Sequence, residues 1–267
     1  MDGRSSGMNQ KELVKVNFGR TIVVESVLPF CAAIFCVVWS LVFDFESCTW
    51  THCKVPNYLP SISSAIGGYT PQRYVWRLCI GLHAAPRFMI AAAYYSYHTQ
   101  FHVGKRNDLY RTLSKLCILL HVVENFALVG LTYISSIENH GVHENLFIIF
   151  MLCSQVYMLI TCIIYRWGHQ SNGRIMSLKE TKSLRMKTGL FIFNVVIFLL
   201  AVYLFFRHNS HCEPGVYTMF AAAEYLTVFS NIAFHYTASY DFSDCSISIC
   251  PDAIFGKTVH MNGGKQS

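Results

Sequence analysis

Charge is what this sequence has least of. Asp, Glu, Lys and Arg make up 13% of its 267 residues, about half the ~25% of an ordinary soluble domain. That scarcity excludes a soluble fold, whose surface needs more charge. It also excludes a disordered chain, which is polar and poor in apolar residues. A net charge of +6 is modest, and the basic residues flank apolar runs instead of forming a patch, so no nucleic-acid partner is expected. None of the 11 cysteines forms a Cys-x-x-Cys pair, so no metal site is expected. No Asn-x-Ser/Thr sequon occurs, so no N-glycan is expected.

What is abundant is apolar. Hydrophobic residues reach 53% and aromatics 15%, with a mean hydropathy of +0.35. Six runs stand out: 21–43, 74–97, 113–134, 146–167, 189–206 and 216–238. Each has about the ~20 residues that cross a bilayer as a helix, and runs of this length in lipid are helices. The reading is an all-α polytopic membrane protein with six transmembrane helices. The first run is longer than a signal-peptide core and no A-x-A-like site follows it, so it reads as a retained helix.

Lys and Arg set the orientation. Arg4, Lys11, Lys15 and Arg20 precede the first run, and Lys105, Arg106 and Arg111 lie between the second and third. Arg166, Arg174, Lys179, Lys182, Arg185 and Lys187 lie between the fourth and fifth, and Lys257 and Lys265 follow the sixth. By the positive-inside rule this side is cytoplasmic. The expected organisation is a cytoplasmic segment 1–20, a membrane domain 21–240 and a cytoplasmic tail 241–267. One long lumenal loop, 44–71, joins the first two helices. Cys48, Cys53 and Cys212 fall on the lumenal side, where an oxidising compartment favours pairing Cys212 with either of the other two. Cys245 and Cys250 sit near the membrane on the cytoplasmic side as candidate acylation sites.

A few polar residues lie where lipid penalises them by at least ~2.5 kcal/mol each. The second run carries Arg77, His83 and Arg87; His83 and Arg87 share a face at i, i+4. The third carries His121, Glu124 and Asn125 on one face. In the sixth, Glu224, Asn231 and His235 return to nearly the same angle. Counting inward puts His83, Glu124, Asn125 and Glu224 near the midplane. Two readings fit: a buried structural network in which Glu124 or Glu224 neutralises Arg87, or a polar cavity in which His acts as a general base. Glu25 reads as interfacial. At the lumenal end, Arg73, Arg77 and Arg207 suit a phosphate through the planar guanidinium fork, or snorkel to headgroups. In the long loop, Leu59, Ile62, Ala65 and Ile66 suit a lid over the helix ends. Gly81, Ala84 and Ala85 allow close helix packing beside Pro86.

The stretch THCKVPNYLPSISSAIGGYTPQRYVWRLCIGLHAAPRF (51–88) resembles the Frag1/DRAM/Sfk1 family of membrane proteins. So do HVVENFALVGLTYISS (121–136), HENLFIIF (143–150) and RHNSHCEPGVYTMFAAAEYLTVFSNIAFH (207–235). The similarity runs from about residue 27 to 241. The THC and RHN-x-x-C elements of the family fall on Cys53 and Cys212, which implies that these two pair. The resemblance further implies a multi-pass Golgi protein of GPI-anchor lipid remodelling. The implied step is reacylation of lyso-GPI at sn-2 with a saturated chain; the alternative is a non-catalytic lipid-binding or lipid-transport helper of a separate acyltransferase. Implied partners are GPI-anchored proteins, the lyso-GPI lipid and membrane lipids. No cofactor is required beyond an acyl donor such as acyl-CoA.

For acyl transfer, a base must activate the lipid hydroxyl and a donor must hold the developing oxyanion. His83 or His121 suits the base, oriented by Glu124 or Glu224. Asn125 or Arg87 suits the oxyanion, and Arg73, Arg77 and Arg207 suit the inositol phosphate. Asn231 and His235 complete the polar stripe as substrate contacts. No Gly-x-Ser-x-Gly elbow is present, so direct transfer is expected in place of an acyl-enzyme.

Overall fold

Six long helices occupy the six apolar runs in the computed structural model, which describes residues 14–249 except 172 and 174. Arg4, Lys11, Arg174, Cys250, Lys257 and Lys265 therefore lie outside the described residues. The long helices are α1 (Phe18–Phe43), α4 (Gln72–Thr99), α5 (Asn107–Tyr133), α6 (His140–Ser171), α7 (Leu178–His211) and α8 (Val216–Tyr236). Short helices α2 (Phe45–Thr49) and α3 (Ile62–Gly67) lie between α1 and α4, and α9 (Ala238–Asp241) follows α8.

Four of these are long and apolar enough to cross a membrane: α1, α5 with the turn before it, α6 and α7. The chain is a multi-pass membrane protein. The other two long helices, α4 and α8, carry two of the three ionisable stripes, and the third lies on α5. The α4 and α8 stripes include Arg87, His83, Glu224 and His235, all buried. Conversely α7 turns most of its apolar surface outward, with Ile192, Val196, Leu199 and Tyr203 exposed. Apolar residues outside and polar residues inside invert the soluble pattern, as lipid as solvent requires.

Several helices begin further out than their apolar runs. α7 starts at Leu178 because Ser177 and Glu180 form a reciprocal capping box, which satisfies two otherwise free backbone donors. Lys187 consequently sits in the third turn of a helix and is 1% exposed; it is not the solvated loop charge that its place between two apolar runs suggests. α1 starts at Phe18 with Asn17 accepting from the Arg20 amide at 2.9 Å. Before it, β1 (Val14–Asn17) pairs antiparallel with β2 (Ser246–Ile249). Phe242, Ile247 and Phe18 cover this end of α1. Glu25 is therefore 1% exposed and deep in the bundle, which corrects its interfacial placement.

The long loop is ordered by named contacts. Ile62, Ala65 and Ile66 are buried against Ala32, Ala33 and Trp76, while Leu59 is half-buried. Ser40 donates to the Ala65 carbonyl, and Gln72 bridges Ser40 and Asp44. Asn57 donates to the Thr49 carbonyl and Tyr225 to that of Pro60. Cys53 and Cys212 form a disulfide, tying the loop to the start of α8 across 159 residues. Cys48 is a free thiol, 1% exposed against Ser40 and Phe45 carbonyls, and burial pushes it up to about 11. Gly81 is small for a reason: a Cβ there would stand 2.9 Å from the Tyr133 hydroxyl. Of the cysteines inside the runs, Cys36 and Cys117 are buried, but Cys31 is exposed.

Candidate functional site

The stripes of α4, α5 and α8 converge on one buried charge. Arg87 is 2% exposed and its guanidinium meets Glu124 at 2.7 Å. Its Nε donates to Nε2 of His121 at 3.4 Å, and its other nitrogens face Nε2 of His83 and of His235. An arginine only donates, so the His83 and His121 nitrogens facing it accept. His83 therefore carries its proton on Nδ1, which lies 2.9 Å from the Glu25 carbonyl and from its carboxylate. Asn231 donates to Glu124 at 3.0 Å and to Ser154 at 2.6 Å. His235 lies 3.2 Å from Glu124 and stacks on Tyr157 at 5.2 Å. Asn125 donates to the Ala84 carbonyl, beside Pro86, clamping α4 to α5. One oxygen of Glu124 has no hydrogen-bond partner among the described residues.

Glu224 is not part of this cluster. Its carboxylate accepts from the Ile62 amide at 3.0 Å, holding the lid helix α3 to α8. It does face a small cavity of about 50 Å³ that His83, Arg87 and Asn231 also line. Of the predicted site residues, these four reach open space there. His121, Glu124, Asn125 and His235 are absent from its walls.

A second, larger cavity adjoins the first. It is a groove of about 520 Å³ between α6, α7 and α8 beneath α3, within the ~300–1,000 Å³ of ligand sites. Ser63, Phe147, Glu224 and Val228 line both spaces. The groove is polar at the disulfide end, where Ser63, Ser64, Ser136, His143 and Glu144 stand, and apolar below. Ile148, Leu152, Phe205 and Phe206 flank it and are exposed on the outer faces of α6 and α7. It therefore opens toward the surrounding lipid. A polar mouth above an apolar trough matches a lipid headgroup above an acyl chain.

At the same end, Arg77 pairs with Glu138 at 2.8 Å and Arg207 with Glu213 at 2.8 Å. The Ser135 amide, then Arg77, holds Glu138 down to about 2. Arg73 makes no ion pair among the described residues, and its buried Nε has no hydrogen-bond partner.

Sequence reasoning missed a second buried centre. Lys187 meets Asp241 at 2.7 Å, and Asp241 also accepts from Tyr94, Tyr165 and Ser183. It also missed the facing of Ser63 and His143, eighty residues apart; the only signal was a His just ahead of an apolar run.

No solved structure matches the chain. The Frag1/DRAM/Sfk1/Cwh43P N-terminal domain matches residues 17–245. A Xenopus tropicalis protein named acyltransferase PGAP2 is 46% identical over 93% of this chain and 96% of its own length. A Drosophila melanogaster protein named post-GPI attachment to proteins factor 2 is 44% identical over 86% of this chain and 88% of its own. A Caenorhabditis elegans protein of that name is 40% identical over 86% and 88%. With the match spanning all six long helices, the chain belongs to the Frag1/DRAM/Sfk1 family.

Proposed function

We propose that the chain remodels GPI-anchor lipids by transferring a saturated acyl chain to the sn-2 hydroxyl of lyso-GPI in the Golgi membrane. Its relatives' names support a GPI-linked role. In this reading all six long helices span the membrane, with the ionisable faces of α4 and α8 turned into the bundle. Both termini are cytoplasmic, and the disulfide end is lumenal. The observation that carries the proposal is the lipid-facing groove, apolar below and polar at its lumenal mouth.

The polar groups then divide by reach. His83, Arg87, Asn231 and Glu224 line the inner cavity and contact the reacting headgroup. His121, Glu124, Asn125 and His235 stand behind them and position Arg87 and His83. Arg73, without a carboxylate partner among the described residues, is the first phosphate contact. Arg77 and Arg207 join when phosphate displaces Glu138 and Glu213, an exchange suited to the bidentate fork. The substrates are lyso-GPI-anchored proteins and an acyl donor.

The test is complementation of cells lacking the chain. Wild type restores saturated sn-2 chains on GPI-anchored proteins, read by lipid mass spectrometry. Val202→Trp, which fills the half-buried groove wall, leaves the lyso form while the protein still reaches the membrane. Normal remodelling with Val202→Trp would refute the groove as the acyl site.

A further inference from the structure

We infer that Ser63 and His143 form a nucleophile–base pair, and that the acyl group passes through an ester on Ser63. This rests on the acyl-transfer reading above and departs from the direct transfer that the missing elbow motif implies.

The geometry sets the proton positions. Nδ1 of His143 lies 2.7 Å from the Ile134 carbonyl oxygen, which can only accept. That nitrogen therefore carries the ring proton, leaving Nε2 as an acceptor. Nε2 lies 3.1 Å from the Ser63 hydroxyl, which donates to it. A hydroxyl held by a base that a third group orients is the arrangement that activates serine. Among the described residues, Ser63 is the only serine whose hydroxyl faces a histidine ring. The nearby Ser61 and Ser64 hydroxyls bond each other.

Placement adds to this. Ser63 is half-buried and lines both the groove and the inner cavity, whereas His143 is 7% exposed behind it. An acyl chain in the trough below brings its carbonyl to the polar mouth where Ser63 stands. The serine is also held still. Glu224 fixes the Ile62 amide on one side of it, and Ser61 accepts from the Ser64 amide on the other. The Cys53–Cys212 bond anchors the same loop. A loosely held residue loses about 10²-fold per 1 Å of misplacement, so this bracing suits a nucleophile.

The step balances as an exchange. The Ser63 oxygen attacks the donor carbonyl, and its proton moves to Nε2 of His143. The bond from that carbonyl to the leaving oxygen or sulfur breaks, and the leaving atom takes the proton. Ser63 then holds the acyl ester. The sn-2 hydroxyl of the lyso-lipid attacks that ester, its proton passing through His143 to the Ser63 oxygen. No oxidant or reductant enters. The donor is an acyl ester or thioester: a phospholipid entering the groove from the bilayer, or an acyl-CoA.

The test uses purified full-length chain in phosphatidylcholine liposomes, with alkyne-tagged palmitoyl-phosphatidylcholine in one arm and alkyne-tagged palmitoyl-CoA in the other. Acid quenching and peptide mass spectrometry should find the acyl group on Ser63, and the productive arm identifies the donor. Ser63→Ala should abolish the adduct and the transfer to lyso-GPI while keeping the wild-type melting temperature. Ser63→Cys should carry a thioester that neutral hydroxylamine cleaves. His143→Gln should slow adduct formation about 10²–10⁴-fold, the usual contribution of a general base. If Ser63→Ala transfers at the wild-type rate, the pair is wrong and direct transfer stands. If wild type transfers from neither donor, the acyl-transfer reading falls with it.

Discussion

Among the described residues, two buried pairs join a carboxylate to an Arg or Lys, and they are built differently. Lys187 and Asp241 lie near the end that carries the β1–β2 ribbon. Both Asp241 oxygens are fully engaged, one by Tyr165 and Ser183 and the other by Tyr94 and Lys187. Neither residue lines the two cavities described above. Arg87 and Glu124 lie deeper, between α4 and α5. There one Glu124 oxygen is unpartnered, and Arg87 borders open space. A saturated network rigidifies, whereas an incompletely satisfied one beside a cavity calls for another explanation. The first pair ties α4, α6 and α7 to the segment after α8. The second borders open space, and we propose it as part of the site.

Substitutions at each pair separate the two roles. Removing one partner of a buried pair costs about 3–5 kcal/mol, because the other charge is left uncompensated. Asp241→Asn should therefore cause the largest loss, since four donors surround that carboxylate; a thermal melt in detergent measures it. Arg87→Met should cost a similar amount, and Arg87→Met with Glu124→Leu should recover most of it. The double variant sharpens the contrast: it should melt near wild type yet fail to remodel GPI anchors. If it remodels normally, the Arg87 cluster is as structural as Lys187–Asp241.

Smaller effects follow nearer the surface. Cys53→Ser with Cys212→Ser should cost about 2 kcal/mol, the low end for a disulfide, because insertion already restrains the helices. The loss should show first as faster hydrogen exchange in the 51–67 loop. Smallest is the Arg77–Glu138 loop. Glu138 is held at about 2, below the ordinary 4.5, mainly by the Ser135 amide. A lowered carboxylate stabilises the fold above its unfolded value and loses that contribution as pH falls through the folded one. Protection of the Ser135 amide, measured against its intrinsic exchange rate at each pH, should therefore hold at neutral pH and fall between pH 4.5 and 2. Glu138→Gln should remove that dependence.

The helices were legible because long apolar stretches fold as helices in lipid; all six runs are long helices, and four of them are apolar enough to cross a membrane. Their ends were not, because capping by Ser177 and Asn17 adds turns beyond the hydrophobic stretch. Lys187 therefore read as a loop charge and Glu25 as interfacial. The convergence of Arg87, Glu124, Asn231 and His235 was foreshadowed by helical spacing, which puts each stripe on one face. Spacing could not say that Glu224 turns to the lid instead. The Ser63–His143 facing was illegible for a plainer reason. It joins a loop to a helix start across eighty residues, and no local period encodes such a contact.

We propose that this chain performs the transfer itself. The most direct measurement places purified protein alone in phosphatidylcholine liposomes with a lyso-GPI-anchored reporter and labelled palmitoyl donors. Label should appear at sn-2 and be lost in Val202→Trp. No transfer from any ester or thioester donor, by protein that still binds the lyso-lipid, would contradict the proposal and leave the chain a lipid-binding helper of a separate enzyme.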